Sequence, residues 1–151
     1  MKNLSKAITA LKKSGINPQP IPKEYRISLE VAIQADLPQD YAILVEKFGT
    51  FELPGEPFFQ LYNPAVVCAY VSSIYNMEDL APADWPALPI GRWGKSGDDI
   101  GFLRSAEYTF GNAVVILDHE GPWTAKNDFW HSPLAPSFSQ FVIDRHEAFA
   151  S

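Results

Sequence analysis

Proline sets the first limit on this chain. Thirteen of its 151 residues are proline, against the roughly 5% usual in globular proteins. Each fixes φ, removes an amide donor and restrains the residue before it. So many favour irregular connections and argue against an all-helical bundle. Three fall in Asn17-Pro18-Gln19-Pro20-Ile21-Pro22, which reads as a stiff connector. Pro38 and Pro64 stand where helices can begin, because a first helical position loses nothing by lacking an N–H.

Between the prolines the apolar spacing resolves short elements. Leu4, Ile8 and Leu11 mark one face of a helix that carries Lys12 and Lys13 in its last turn and stops at Gly15. A second helix is expected over 23–35, with Tyr25, Leu29, Ala32 and Ile33 offered to the core. The clearest helix starts at Pro38, repeats Tyr41, Leu44, Val45 and Phe48 at i, i+3, i+4, i+7, and ends at Gly49. Residues 51–53 and 58–62 read as short strands, and 64–75 as a helix. Residues 88–90 and 100–103 read as strands around a glycine-rich turn. A β-branched strand over 113–118 follows the Phe110-Gly111-Asn112 turn. Ser137 caps a last helix whose Phe138, Phe141 and Val142 face inward. Residues 76–86 and 120–136 read as loops. Helices first and last with strands between predict a single α+β domain with a mainly antiparallel central sheet. Residues 1–22 form a basic helix and proline-rich connector, packed on or appended to a body over 23–151.

The chain is long enough to bury a core without staples, and its 46% hydrophobic and 20% charged residues are those of a globular protein. Its single cysteine, Cys68, allows no intrachain disulfide and no cysteine cage for a metal. The amino-terminal run lacks the apolar stretch of a signal peptide, and nothing approaches the roughly 20 apolar residues of a membrane span. A cytoplasmic protein is expected. The net charge of −6 is uneven: residues 1–26 hold six basic residues to one acidic, +5, and the remainder six to seventeen, −11. An acidic body repels nucleic acid and can steer a basic protein partner, although acidity serves solubility equally well.

No cluster has convincing catalytic spacing. Gly94-Lys95-Ser96 imitates the end of a phosphate-binding loop, but Pro89 stands where that loop needs its first glycine. In Asp118-His119-Glu120 the strand alternation puts the two carboxylates on one face and His119 on the other. No His-x-x-x-His or Glu-x-x-His pair offers two metal ligands from one helical turn. Cys68 sits among apolar neighbours, away from the cation that would make a thiolate, and Ser137 and Ser139 lack a glycine elbow. No metal or cofactor site is assigned. Trp93, Trp123, Phe129 and Trp130 fall in turns and loops, where they either cap the core or serve an interface.

Several fragments, taken in order, carry a resemblance. They are Glu30; Leu37-Pro38 with Tyr41, Leu44 and Phe48-Gly49; Leu61-Tyr62; Pro89-Ile90-Gly91 with Gly97-Asp98; Asp118-His119-Glu120; and Ser137-Phe138 with Phe141. Their type and spacing over 23–149 resemble the SUKH superfamily, the Smi/Knr-type cell-wall regulators and bacterial toxin-immunity proteins. Two departures stand out: Phe48 replaces the family's usual asparagine, and the basic first helix lies outside the pattern. The resemblance implies an α+β fold and a protein that binds and blocks a basic toxin domain, often a nuclease, without touching nucleic acid or membrane itself. The contact residues expected from loop placement and charge are Glu78, Asp79, Trp93, Asp98, Asp99, Asp118, Glu120 and Trp123. The alternatives are a general scaffold or regulatory module of the Smi/Knr type and a small metal-dependent hydrolase using Asp118, His119 and His131.

Overall fold

The computed structural model describes residues 3–76, 81–95, 97–106, 109–118 and 133–149. Five helices and six strands occur among them. The helices are Leu4–Lys13 (α1), Lys23–Ile33 (α2), Gln39–Phe48 (α3), Pro64–Asn76 (α4) and Phe138–Phe149 (α5). The strands are Glu52–Leu53 (β1), Phe59–Leu61 (β2), Ala87–Trp93 (β3), Asp98–Ala106 (β4), Thr109–Phe110 (β5) and Val115–Leu117 (β6). The fold is α+β, a single domain with helices flanking an antiparallel sheet. No helix among the described residues is long and apolar enough to cross a membrane.

The sheet runs β1-β2-β3-β4-β5, with β6 also on β4. The nine-residue β4 makes this possible. One of its edges is lined by β3, from Trp93↔Asp98 to Ala87↔Leu103. The other is shared, with β6 along residues 99–101 and β5 along residues 104–106. Gly91 is needed in β3 because a Cβ there would lie 2.2 Å from the Phe59 ring.

One face of the sheet is dry and aromatic. Tyr41 of α3, Phe138 and Phe141 of α5, and Phe59 and Phe102 of the sheet are all buried. Their rings meet mostly edge to face, 5.1–6.3 Å apart, the arrangement that ring quadrupoles favour. Asp40 ties α3 to α5. One of its oxygens accepts from the Tyr41 amide and the other from the Ser139 amide. A carboxylate there satisfies free amides and the positive ends of two helices together. Ser137 caps α5 as its sequence predicts, its Oγ accepting from the Gln140 amide at 3.1 Å.

The first helix is part of this core. Ala7, Ala10 and Leu11 are buried, and α1 lies parallel along α5, joined by Asn3–Gln140 and Ser14–His146 hydrogen bonds. The proline connector then crosses the end of α3, where the Gln19 and Ile21 amides donate to the Phe48 and Glu46 carbonyls. This crossing explains Gly49. Its φ is +75°, and a Cβ would fall 2.0 Å from the Gln19 carbonyl oxygen.

The second helix corrects an expectation. Only Leu29 and Ile33 of α2 are buried, while Tyr25 is 44% exposed. Tyr25 lies in the first turn of α2, where its amide donates to the Pro22 carbonyl. Glu30 has a structural duty here. Its carboxylate takes an ion pair from Arg26 and accepts from the Leu37 amide, and Arg26 also pairs with Glu46 of α3. The guanidinium is held above its usual range, chiefly by the Glu46 bond.

Candidate partner-binding face

The β3–β4 hairpin carries three of the sequence-predicted residues, Trp93, Asp98 and Asp99, at one end of the sheet. Its turn uses Gly94 and Gly97, both at positive φ. A Gly94 Cβ would meet Pro57 at 2.8 Å. Gly94-Lys95 is thus a hairpin turn, and no helix follows it. Opposed residues share a face of a sheet and successive residues alternate. Trp93 and Asp98 therefore lie on the α5 side, and Arg92 and Asp99 on the α4 side. Asp99 pairs with Leu117, so Asp118 follows at the same end. Trp93, Asp98 and Asp118 come together on three neighbouring strands.

Trp93 is half-buried and firmly held. Its ring centroid is 5.8 Å from Phe141, and the Arg145 guanidinium carbon lies 4.8 Å from its centroid. Arg145 also donates to the Pro54 and Pro57 carbonyls, and burial lowers its pKa from the usual value. An indole fixed between a ring and a cation presents its remaining surface at little further entropic cost. Asp98 and Asp118 are half-exposed, Lys95 in the turn is exposed, and Arg92 is exposed on the opposite face.

Asp99 departs from the sequence expectation. It is only 2% exposed and cannot face a partner. The Tyr62 and Tyr70 hydroxyls, from the end of β2 and from α4, each donate to one of its oxygens at 2.6 Å. Burial pushes the Asp99 carboxyl above its usual range, while the two tyrosine bonds and Arg92 oppose the shift and Asp98 adds to it. Burial likewise raises both tyrosines, and the bonds to Asp99 raise them further. Asp99 is thus the polar centre of the second sheet face, fastening α4 to the strands. Tyr62 and Tyr70 went unassigned in the sequence because they lie 37 and 29 residues from their acceptor. No local spacing signals such a pairing.

Glu78, Asp79, Glu120 and Trp123 lie outside the described residues, as do His119 and His131. Among the described residues no group of three His, Cys, Asp or Glu side chains could hold a metal ion. Cys68 is partly buried on α4. A cleft of about 540 Å³ opens where α3 and α5 begin, between Asn3, Gln39, Asn112 and Gln140. It is lined by amides and by the already bonded Asp40. No protein-family model matches the chain, and no curated protein matches it at a significant level.

Proposed function

We propose that this chain is a non-catalytic binding protein that neutralises a toxin domain by covering it, as the immunity proteins it resembles do. The observation that carries the reading is the grouping of Trp93, Asp98 and Asp118 at one end of β3, β4 and β6. A clamped indole flanked by half-exposed carboxylates suits the centre of a protein interface, where tryptophan anchors are enriched. The −11 charge of residues 27–151 supports a basic partner, since complementary charge speeds encounter. The scaffold beneath is a packed sheet, so binding asks little reordering of these side chains.

The test is capture of the product of the adjacent gene. A basic toxin domain should bind. Asp98→Lys with Asp118→Lys should slow association, most at low salt, and Trp93→Ala should speed dissociation. If the neighbouring gene encodes no secreted toxin and no basic protein is captured, the reading fails. A broad set of endogenous partners would favour the scaffold alternative instead.

A further inference from the structure

The helix α2 carries an apolar pair that stays exposed among the described residues. Val31 is 72% exposed and Ile27 is 44% exposed, and they lie one turn apart on the same side of the helix. Soluble chains scatter single exposed apolar residues without meaning. This pair instead forms the wall of a groove of about 490 Å³, completed by Glu30, Gln34, Ala35 and Asp36.

The groove is negative for two separate reasons. Asp36 is exposed at the rim. The groove also lies at the carboxyl end of α2, whose last turn holds no basic residue to offset the helix dipole. Among the described residues no lysine or arginine lines it. The groove lies on α2, not on the strand end that carries Trp93.

We propose that this groove is a second docking site, for a segment of another protein that presents lysine or arginine on an apolar stem beside aliphatic side chains. Charge complementarity selects the occupant. The cation sits beside the Asp36 carboxylate at the carboxyl end of α2, while its methylenes and an adjoining leucine or valine cover Ile27 and Val31. This site stands apart from the reading above and does not require it.

The experiment uses the full chain and a fluorescein-labelled helical peptide of leucine and lysine, with a matched leucine–glutamate peptide as control. Anisotropy is followed at about 0.15 M salt, where diffuse attraction is screened beyond roughly 8 Å. The lysine peptide should bind and the glutamate peptide should not. Val31→Ser and Asp36→Asn should each weaken binding about fivefold or more, because exposed side chains at a binding site act on affinity without unfolding the protein. Glu52→Gln, an equal charge change on β1, and Asp98→Lys should leave it unchanged. Absence of binding, equal effects of Asp36→Asn and Glu52→Gln, or indifference to Val31→Ser would each overturn the proposal. So would a dimer in sedimentation that Val31→Ser makes monomeric, since a second copy would then cover the face.

Discussion

The two faces of the sheet are held by opposite kinds of interaction. Towards α3 and α5 the contact is dry: Phe138 touches Tyr41, Phe51, Phe59 and Phe141 through ring contacts alone. Towards α4 it turns on one buried carboxylate gripped by two tyrosine hydroxyls. Tyrosine serves both sides, with contrasting results. The Tyr41 hydroxyl is buried and finds no hydrogen-bond partner among the described residues, whereas those of Tyr62 and Tyr70 are both bonded. The first face depends on shape and volume, and the second on satisfying a charge.

The contrast can be broken most directly from the dry side. Phe138→Ala should cost about 3–5 kcal/mol by urea unfolding, the loss expected for an aromatic ring removed from a core. A cost below 1 kcal/mol would mean that the ring cluster does not anchor α5. One chemical change, made on each face, gives the next largest effect. Tyr70→Phe should lose about 1–3 kcal/mol, because it strips a bond from a buried carboxylate. Tyr41→Phe should be neutral or mildly stabilising, because it deletes a hydroxyl whose burial is uncompensated. Equal costs for the two would erase the distinction between the faces.

Acidity sharpens the second face further. The folded Asp99 carboxyl is raised, mainly by burial, so the folded protein binds this proton more tightly than the unfolded chain does. Ionised Asp99 therefore costs stability above its folded value, and the cost vanishes below the unfolded value of about 4. On acidification from neutral pH, wild type should gain stability relative to Asp99→Asn. A gap that moves the other way would mean that the tyrosine bonds outweigh burial. The smallest effect belongs to Val66→Ala on the outer side of α4, where the side chain is 54% exposed. It should stay within about 0.5 kcal/mol.

The dry face was legible in the sequence, and the polar one was not. Tyr41, Leu44, Val45 and Phe48 fall on a helical period and are all buried, and Ser137 caps the last helix as its sequence predicts. Helical faces are local patterns, so a single chain displays them. The hairpin was read too short, as residues 88–90 and 100–103, where the structure extends it to Ala87–Trp93 and Asp98–Ala106. Aspartate is a poor strand residue, and adjacent Asp98 and Asp99 read as a loop. Tertiary pairing overrides that preference, since both pair with β3 and Asp99 draws two distant hydroxyls. The candidate site divides the same way. Trp93, Asp98 and Asp118 share an end of the sheet, while Asp99, equally acidic on paper, is turned inward by strand alternation. On α2, Tyr25 continues the apolar period of Leu29 and Ile33 yet stays 44% exposed, because a period marks a helix face without saying how far the neighbouring surface extends.

The parallel docking of α1 on α5 joins the two ends of the described chain and fixes an order of events during synthesis. The first helix emerges early, but Ala7, Ala10 and Leu11 have no lasting shelter until residues 138–149 have also been made. Until then this apolar stripe has no partner helix to cover it, and it is edged by Lys6, Lys12 and Lys13. Those lysines then act as solubilising guards until α5 is made.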